Sequence, residues 1–306
     1  MKIALLDARR SGGNPENSIT VAVRNMLELE NYFKADFFYS AEQLKESTDD
    51  YDVIICGFGS FSTEINESTA FLNKNKNAVL FWLVSDYEQT TFAPLFYSKR
   101  KFHIIKSFEH QMKNKMAKEQ YFVNINALLS GGYNKNVKEV SKVVYYGRWR
   151  DGRADYFRQY LQGGVFVSTS QKNKRRFLEN GCNPLFLPAL SWKDNGENLK
   201  QFKVSIYLED KFTHSNYCCP ANRHYEAVKC GVHQLFQAES LNTFDRYELE
   251  VPRELVFNNY KELIDKAKNL DISVSNKFME SAGEKAVLDK EDCISSIQSI
   301  IMSVKR

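Results

Sequence analysis

Short, strongly apolar runs that alternate with amphipathic or polar stretches constrain the fold of this 306-residue chain more than any other feature. In the first half they are KIALLD (2–7), ADFFYS (35–40), DVIICG (52–57), AVLFWLV (78–84) and HIIKSF (103–108). Runs of this length with no polar alternation read as strands buried on both faces. Between the first two, Asn14-Pro15-Glu16 supplies a cap, a proline at the first helical position and an acid in the first turn. Ile19, Val23, Met26 and Leu27 follow at helical spacing. A βαβα alternation predicts a mostly parallel sheet with helices on both faces.

Around 125–140 the pattern relaxes into a stretch rich in Gly, Asn, Ser and Lys, which reads as a linker. The alternation then restarts, with strands expected at 143–147, 165–169, 203–210, 233–237 and 254–259. Helices are expected at 153–161, 221–230, 260–269 and 276–287, followed by an amphipathic closing segment with Ile294, Ile297, Ile300, Ile301 and Val304 on one face. The fold class is therefore α/β, two Rossmann-like lobes facing a central cleft. The expected divisions are 1–138, 139–288 and a closing helix over 289–306. Ligands of such folds lie beyond the carboxyl ends of the strands, so residues directly after strands carry the functional reading.

Composition narrows the class further. Hydrophobic residues make up 43% and charged residues 26%, a globular balance. No run approaches the roughly 18 apolar residues that span a bilayer, and the opening MKIALLDARR reads as a strand rather than a signal peptide, so a cytoplasmic location is expected. Six cysteines without a CxxC pair read as reduced packing residues, with no metal site expected. The net charge of +4 permits a nucleic-acid partner without requiring one.

Five constellations carry chemistry. In Pro220–Phe236, proline opens a helix, Gly231 closes it and a strand follows; Arg223 and Glu226 lie three apart on one face of its first turns. A helix N-terminus attracts anions, Arg223 adds a fork for phosphate oxygens, and Glu226 is placed to accept ribose hydroxyls. The same spacing equally suits a surface ion pair. In Tyr145–Asp155, Gly147, Arg148, Arg150 and Arg153 follow a strand and make a phosphate-binding loop without the G-x-G-x-x-G fingerprint; a solvated basic turn is the alternative. Asp86, after the strongest strand, is a candidate general base or a turn aspartate, and Lys211 a candidate phosphate contact or an exposed loop lysine. Two basic tracts with interleaved aromatics suit a nucleic-acid track or a solvated face: Lys99, Arg100 and Lys101 with the lysines to 118, and Lys172 to Arg176, including Lys174 and Arg175.

In the order of these features the chain resembles the two-lobed GT-B sugar transferases, and among them the phage DNA hydroxymethylcytosine glycosyltransferases. The resemblance runs through MKIALLD, YDVIICGFGSF, AVLFWLVSDYE, VVYYGRWRDGR and VSIYLEDKFTHSNYCCPANRHYEAVKCGVHQLFQ. It implies that Asp86 is the catalytic base, that Arg150 binds the diphosphate, and that Arg223 and Glu226 hold phosphate and ribose. The family's second loop arginine falls on Ala154, so Arg153 or Arg148 stands in for it, and Lys211 matches a phosphate lysine only approximately. The donor implied is UDP-glucose, and another UDP-sugar, such as one carrying the pentose arabinose, is compatible with the same residues. The acceptor implied is 5-hydroxymethylcytosine flipped from duplex DNA, and the last helix crosses back onto the first lobe.

The mechanism expected is direct, inverting displacement by a monomeric enzyme with no membrane association. Asp86 deprotonates the acceptor while Arg150, Arg153 and Arg223 stabilise the departing diphosphate, and a divalent cation, Mg or Mn, is compatible with this scheme. Two other readings stay open. One is a GT-B enzyme acting on a cell-envelope or small-molecule acceptor; the other is a non-enzymatic nucleotide- or DNA-binding module.

Overall fold

The computed structural model of the protein describes residues 1–7, 21–57, 64–85, 93–134, 142–190, 192 and 196–305. The chain divides into two compact units, Met1–Leu129 with Asp289–Arg306, and Ser130–Leu288.

The first unit holds β1 (Ile3–Leu6), α1 (Val21–Phe33), β2 (Asp36–Phe38), α2 (Ala41–Glu46), β3 (Val53–Cys56), α3 (Ile65–Lys74), β4 (Val79–Val84), α4 (Ala93–Ser98), β5 (Phe102–Lys106) and β6 (Ala117–Phe122). The described strands form one sheet in the order β2-β1-β3-β4-β5-β6, every pair parallel. β1, β3 and β5 are buried at every residue, as continuous apolar runs require when helices cover both faces. On α1, Val23, Met26 and Leu29 recur at helical spacing and are fully buried. Ser40 caps α2 in a capping box with Gln43, whose carboxamide returns to the Ser40 N–H at 3.0 Å.

Two expectations change here. Residues 125–129 are not linker: they form a 3-10 turn, Ile125–Leu129, buried throughout. The apolar Ile125, Leu128 and Leu129 outweigh the Gly-rich tail that follows them. β6 (AKEQYF) is an additional strand that its charged sequence conceals; it is the sheet edge, where solvent-facing polar residues are tolerated.

The second unit holds β7 (Val143–Tyr146), α5 (Ala154–Tyr160), β8 (Val165–Ser168), α6 (Gln171–Glu179), β9 (Leu185–Leu187), α7 (Glu197–Lys200), β10 (Val204–Tyr207), α8 (Lys211–Asn216), α9 (Asn222–Cys230), β11 (His233–Gln237), α10 (Leu241–Arg246), β12 (Val256–Phe257) and α11 (Tyr260–Lys268). Its described strands run β12-β11-β10-β7-β8-β9, again all parallel. Counted along the unit, that is the dinucleotide-fold order 3-2-1-4-5-6. Strand order reverses between β7 and β10, and a crevice opens at the carboxyl ends of strands that diverge in this way. Gly231 ends α9 in the left-handed region, φ 66°, as its place in the sequence predicts.

The segments expected as a helix over 276–287 and a separate closing helix are one continuous helix, α12 (Ile272–Lys305). It starts in the second unit and its last turns belong to the first, where Lys290 meets Glu28 at 2.7 Å and Lys305 meets Asp52 at 2.8 Å. No described helix is long and apolar enough to cross a membrane.

Candidate nucleotide site at the β7–β10 switch point

β7 and β10 lie side by side, Val143 opposite Val204, and both are buried at every residue. The segments that leave their carboxyl ends therefore meet. From β7 come Gly147 and the turn to Arg153; from β10 come Leu208, Glu209 and Asp210; α9 then brings Arg223 and Glu226 back over both.

Gly147 has φ 149°, a conformation that side chains rarely adopt. Its N–H donates to the Ser168 carbonyl at 3.1 Å, and its own carbonyl accepts from Thr169 Oγ1 at 2.6 Å. A Cβ there would stand 3.2 Å from Arg223 Nη2 and 3.3 Å from Tyr145 Oη, so glycine keeps the backbone open beside the arginine. Trp149 anchors the next part of the loop. It is buried against Phe157 and Phe177, its N–H donates to Asn173 Oδ1 at 3.0 Å, and its indole N–H donates to Asp151 Oδ1 at 2.7 Å. Arg148 is exposed and Arg150 half-buried on the same loop.

Arg153 and Arg223 converge on one carboxylate. Glu209 Oε2 pairs with Arg153 Nη2 and Glu209 Oε1 with Arg223 Nη1. Arg153 Nε also reaches Asp210 at 3.3 Å, and Arg223 Nη1 donates to the Leu208 carbonyl at 2.8 Å. Both guanidinium groups approach Tyr145 Oη at 3.4 Å, and Arg223 lies 5.0 Å over the Tyr145 ring. Burial alone would raise the Tyr145 hydroxyl, yet it is held below its ordinary value by Arg223, Arg153 and Arg150. At that phenol the guanidinium groups outweigh burial. Arg223 Nε is buried without a hydrogen-bond partner among the described residues, so part of its fork is unspent.

Glu226 is 2% exposed, one turn deeper on α9, and is not on the surface as an Arg223–Glu226 ion pair would be. Arg223 turns instead to Glu209, fourteen residues upstream. Tyr146 sits under this turn: its hydroxyl donates to the Arg223 carbonyl at 2.9 Å and is pushed well up, first by burial and then by the Glu226 carboxylate. Asp210 caps α8 by accepting from the Thr213 N–H at 2.8 Å and hydroxyl at 3.0 Å. Burial would raise its carboxyl, but Arg153 and these bonds hold it below the ordinary carboxylate value. Lys211 is exposed at the first position of α8.

The expected site residues thus divide. Gly147, Arg153, Arg223 and Glu226 come together, with Arg148, Arg150 and Lys211 on the segments around them. Asp86 lies outside the described residues; Ser85, just before it, follows the carboxyl end of β4. On α6, Arg176 pairs with Asp151 at 3.0 Å, Lys174 lies 5.5 Å from the Phe186 ring, and Arg175 is exposed. α6 follows β8, so its first turn stands beside the Gly147–Asp151 loop, as the Asn173 contact to Trp149 requires.

The other basic tract is placed differently. Lys99, Arg100 and Lys101 precede β5 and so stand at the amino ends of the parallel strands, away from the edge where ligands of such sheets bind. Arg100 donates to the carbonyls of Leu72, Asn75 and Ala78, tying down the end of α3, and Lys101 donates to the Lys115 carbonyl at 2.8 Å. Strand direction thus sets these three residues, unlike α6, apart from the ligand edge.

Sequence reasoning missed Tyr145, Tyr146, Glu209 and Asp210. A signal was present: two adjacent acids at the end of a mostly apolar strand need cationic partners if they are buried, and the chain's glycine–arginine loop offered them.

This fold is that of the GT-B glycosyltransferases, α/β with two six-stranded parallel sheets flanked by helices. The DNA-modifying enzyme β-glucosyltransferase, solved with and without uridine diphosphoglucose, superposes with a TM-score of 0.75 at 16% identity, covering 98% of this chain and 99% of that one. T4 phage β-glucosyltransferase in a study of substrate binding gives 0.73 at 15% identity over 98% and 99%. An α-glucosyltransferase in complex with UDP and a 13-mer DNA gives 0.64 at 11% identity over 99% and 100%. No protein-family profile matches the chain, and no curated protein matches it by sequence.

Proposed function

We propose that the chain is a UDP-sugar-dependent glycosyltransferase whose acceptor is 5-hydroxymethylcytosine in duplex DNA. The observation that carries the nucleotide half of this reading is the convergence of Gly147, Arg153, Arg223 and Glu226 at the β7–β10 switch point. Open backbone beside two guanidinium groups suits a diphosphate, and a buried carboxylate one helical turn further suits the paired hydroxyls of a ribose. The similar structures support it, since several hold uridine diphosphoglucose or UDP and one of these also holds DNA.

In the reaction, Arg150, Arg153 and Arg223, with the N-terminus of α9, stabilise negative charge on the departing UDP. Asp86 takes the proton of the acceptor hydroxymethyl group as its oxygen attacks the anomeric carbon in line, which inverts that centre. One of the similar structures holds UDP and Mn2+. Among the described residues no group of three or more His, Cys, Asp or Glu is placed to hold a metal ion.

Glu226→Ala is expected to weaken UDP binding by about 1–3 kcal/mol, the scale of a lost charge-assisted hydrogen bond. Calorimetry giving an unchanged Kd would remove Glu226 from the site. For the acceptor, nucleosides are analysed by mass spectrometry after incubation with hydroxymethylated DNA and a panel of UDP-sugars. A sugar mass added to hydroxymethylcytidine is the expected result, and the absence of any adduct would turn the reading toward an envelope or small-molecule acceptor.

DNA phosphates are assigned to the basic face of α6. Binding should weaken with salt, with a log–log slope of about −0.9 per phosphate neutralised. Unmodified cytosine DNA should bind comparably yet accept no sugar, because backbone contacts position and only the flipped base specifies. Replacing Lys174, Arg175 and Arg176 together by alanine should flatten the slope and leave UDP affinity unchanged. Anisotropy showing no DNA binding at low salt would defeat the DNA assignment.

A further inference from the structure

The proposed diphosphate clamp already contains an anion. Glu209 gives one oxygen to Arg153 and the other to Arg223, and Asp210 adds a second carboxylate to Arg153. All four side chains are largely buried: Glu209 is 2% exposed, Asp210 6%, Arg153 10% and Arg223 11%. Two guanidinium groups and two carboxylates make an electrically neutral tetrad, in surroundings where charge is weakly screened. A site built only to grip a diphosphate would leave both arginines uncompensated.

We propose that Glu209 is an internal counter-anion of the nucleotide site, a carboxylate that occupies both arginines when the site is empty and so limits how tightly the diphosphate is held. The inference rests on the nucleotide reading above. Its physical basis is linkage: an interaction that stabilises the empty site and is weakened when the ligand arrives subtracts from the ligand's affinity. A fixed carboxylate also repels the incoming phosphates directly. For a transferase this has a use, because the same clamp that stabilises UDP as a leaving group must release it afterwards. The competing view is that Glu209 is a brace that holds the arginines in register, and the two views predict opposite signs.

The test is calorimetry of the full chain with UDP and with uridine, which lacks the phosphates. Glu209→Gln keeps the shape and removes the charge. It is expected to bind UDP about tenfold more tightly (about 1.4 kcal/mol) while uridine affinity stays unchanged. Glu209→Asp keeps the charge and should show no tightening. Asp210→Asn provides a second route should the Glu209 variant fail to fold: asparagine caps α8 as well as aspartate does, and it removes charge from the same tetrad. It too should tighten UDP, by a smaller factor. Weaker or unchanged UDP binding in the charge-neutralised variants, with the wild type binding normally, overturns the counter-anion and makes Glu209 a brace. A wild type that binds neither UDP nor uridine overturns the nucleotide reading itself, and the inference with it.

Discussion

Asparagine in place of Asp86 is expected to leave UDP affinity at the wild-type level and to lower sugar transfer by about two to four orders of magnitude. The substitution is nearly isosteric and removes only the capacity to accept a proton, so folding and donor binding are spared. In β4, Leu80, Phe81 and Trp82 are almost wholly buried between β3 and β5. Ser85 then leaves the carboxyl edge of the sheet, the edge at which such folds bind ligands. Asp86 is the first ionisable residue after it. Initial rates on hydroxymethylated DNA, with UDP calorimetry on the same preparation, decide the matter. A variant that transfers sugar at near wild-type rate makes Asp86 a turn residue and moves the base elsewhere.

The second large effect is on stability. Urea midpoints of the second unit are expected to fall steeply as pH drops from about 6.5 toward 4. Three of its histidines, His214, His224 and His233, are buried and pushed down to about 4, each chiefly by desolvation. Asp210 and Glu239 oppose the shift at His214, the Gln234 hydrogen bond opposes it at His224, and Lys203 reinforces it at His233. Each ring is held by a neutral partner: Thr243 Oγ1 at 3.2 Å, Gln234 Oε1 at 2.7 Å and Ser275 Oγ at 2.8 Å respectively.

A folded-state value below the unfolded one, about 6.5, means that the unfolded chain binds more protons between the two. Stability is then full above about pH 6.5 and is lost as pH falls toward the folded value near 4. By about pH 5 each histidine should cost about 2 kcal/mol, in sum about 6 kcal/mol, comparable to the lower end of ordinary domain stability, about 5–15 kcal/mol. Equal midpoints at pH 7 and pH 5 would show that these rings do not stay neutral and enclosed.

The sequence by itself determined most of the layered architecture. Strands such as VIIC at 53–56 and VLFWLV at 79–84 are legible because burial on both faces demands an unbroken apolar run, a local property. The α9 segment is legible for a similar reason: Pro220, Gly231 and the Arg223–Glu226 spacing act over a few residues. Short or edge elements escape this logic. β9 is only three residues long, and β6 faces solvent, so neither carries a periodic signal. α12 reads as two pieces because its buried face changes partners along its length, from the second unit to the first.

Tertiary structure alone decided which charges meet. Arg153 and Glu209 are 56 positions apart, and only the crossover that sets β10 against β7 makes them neighbours. The same applies to strand direction, which sends the basic helix α6 to the carboxyl edge of its sheet and leaves Lys99 to Lys101 at the amino edge of theirs. Patterns of burial are written residue by residue, because each side chain meets solvent or core on its own account. Pairing of distant charges depends on strand order, a property of the whole sheet that no local window of sequence contains.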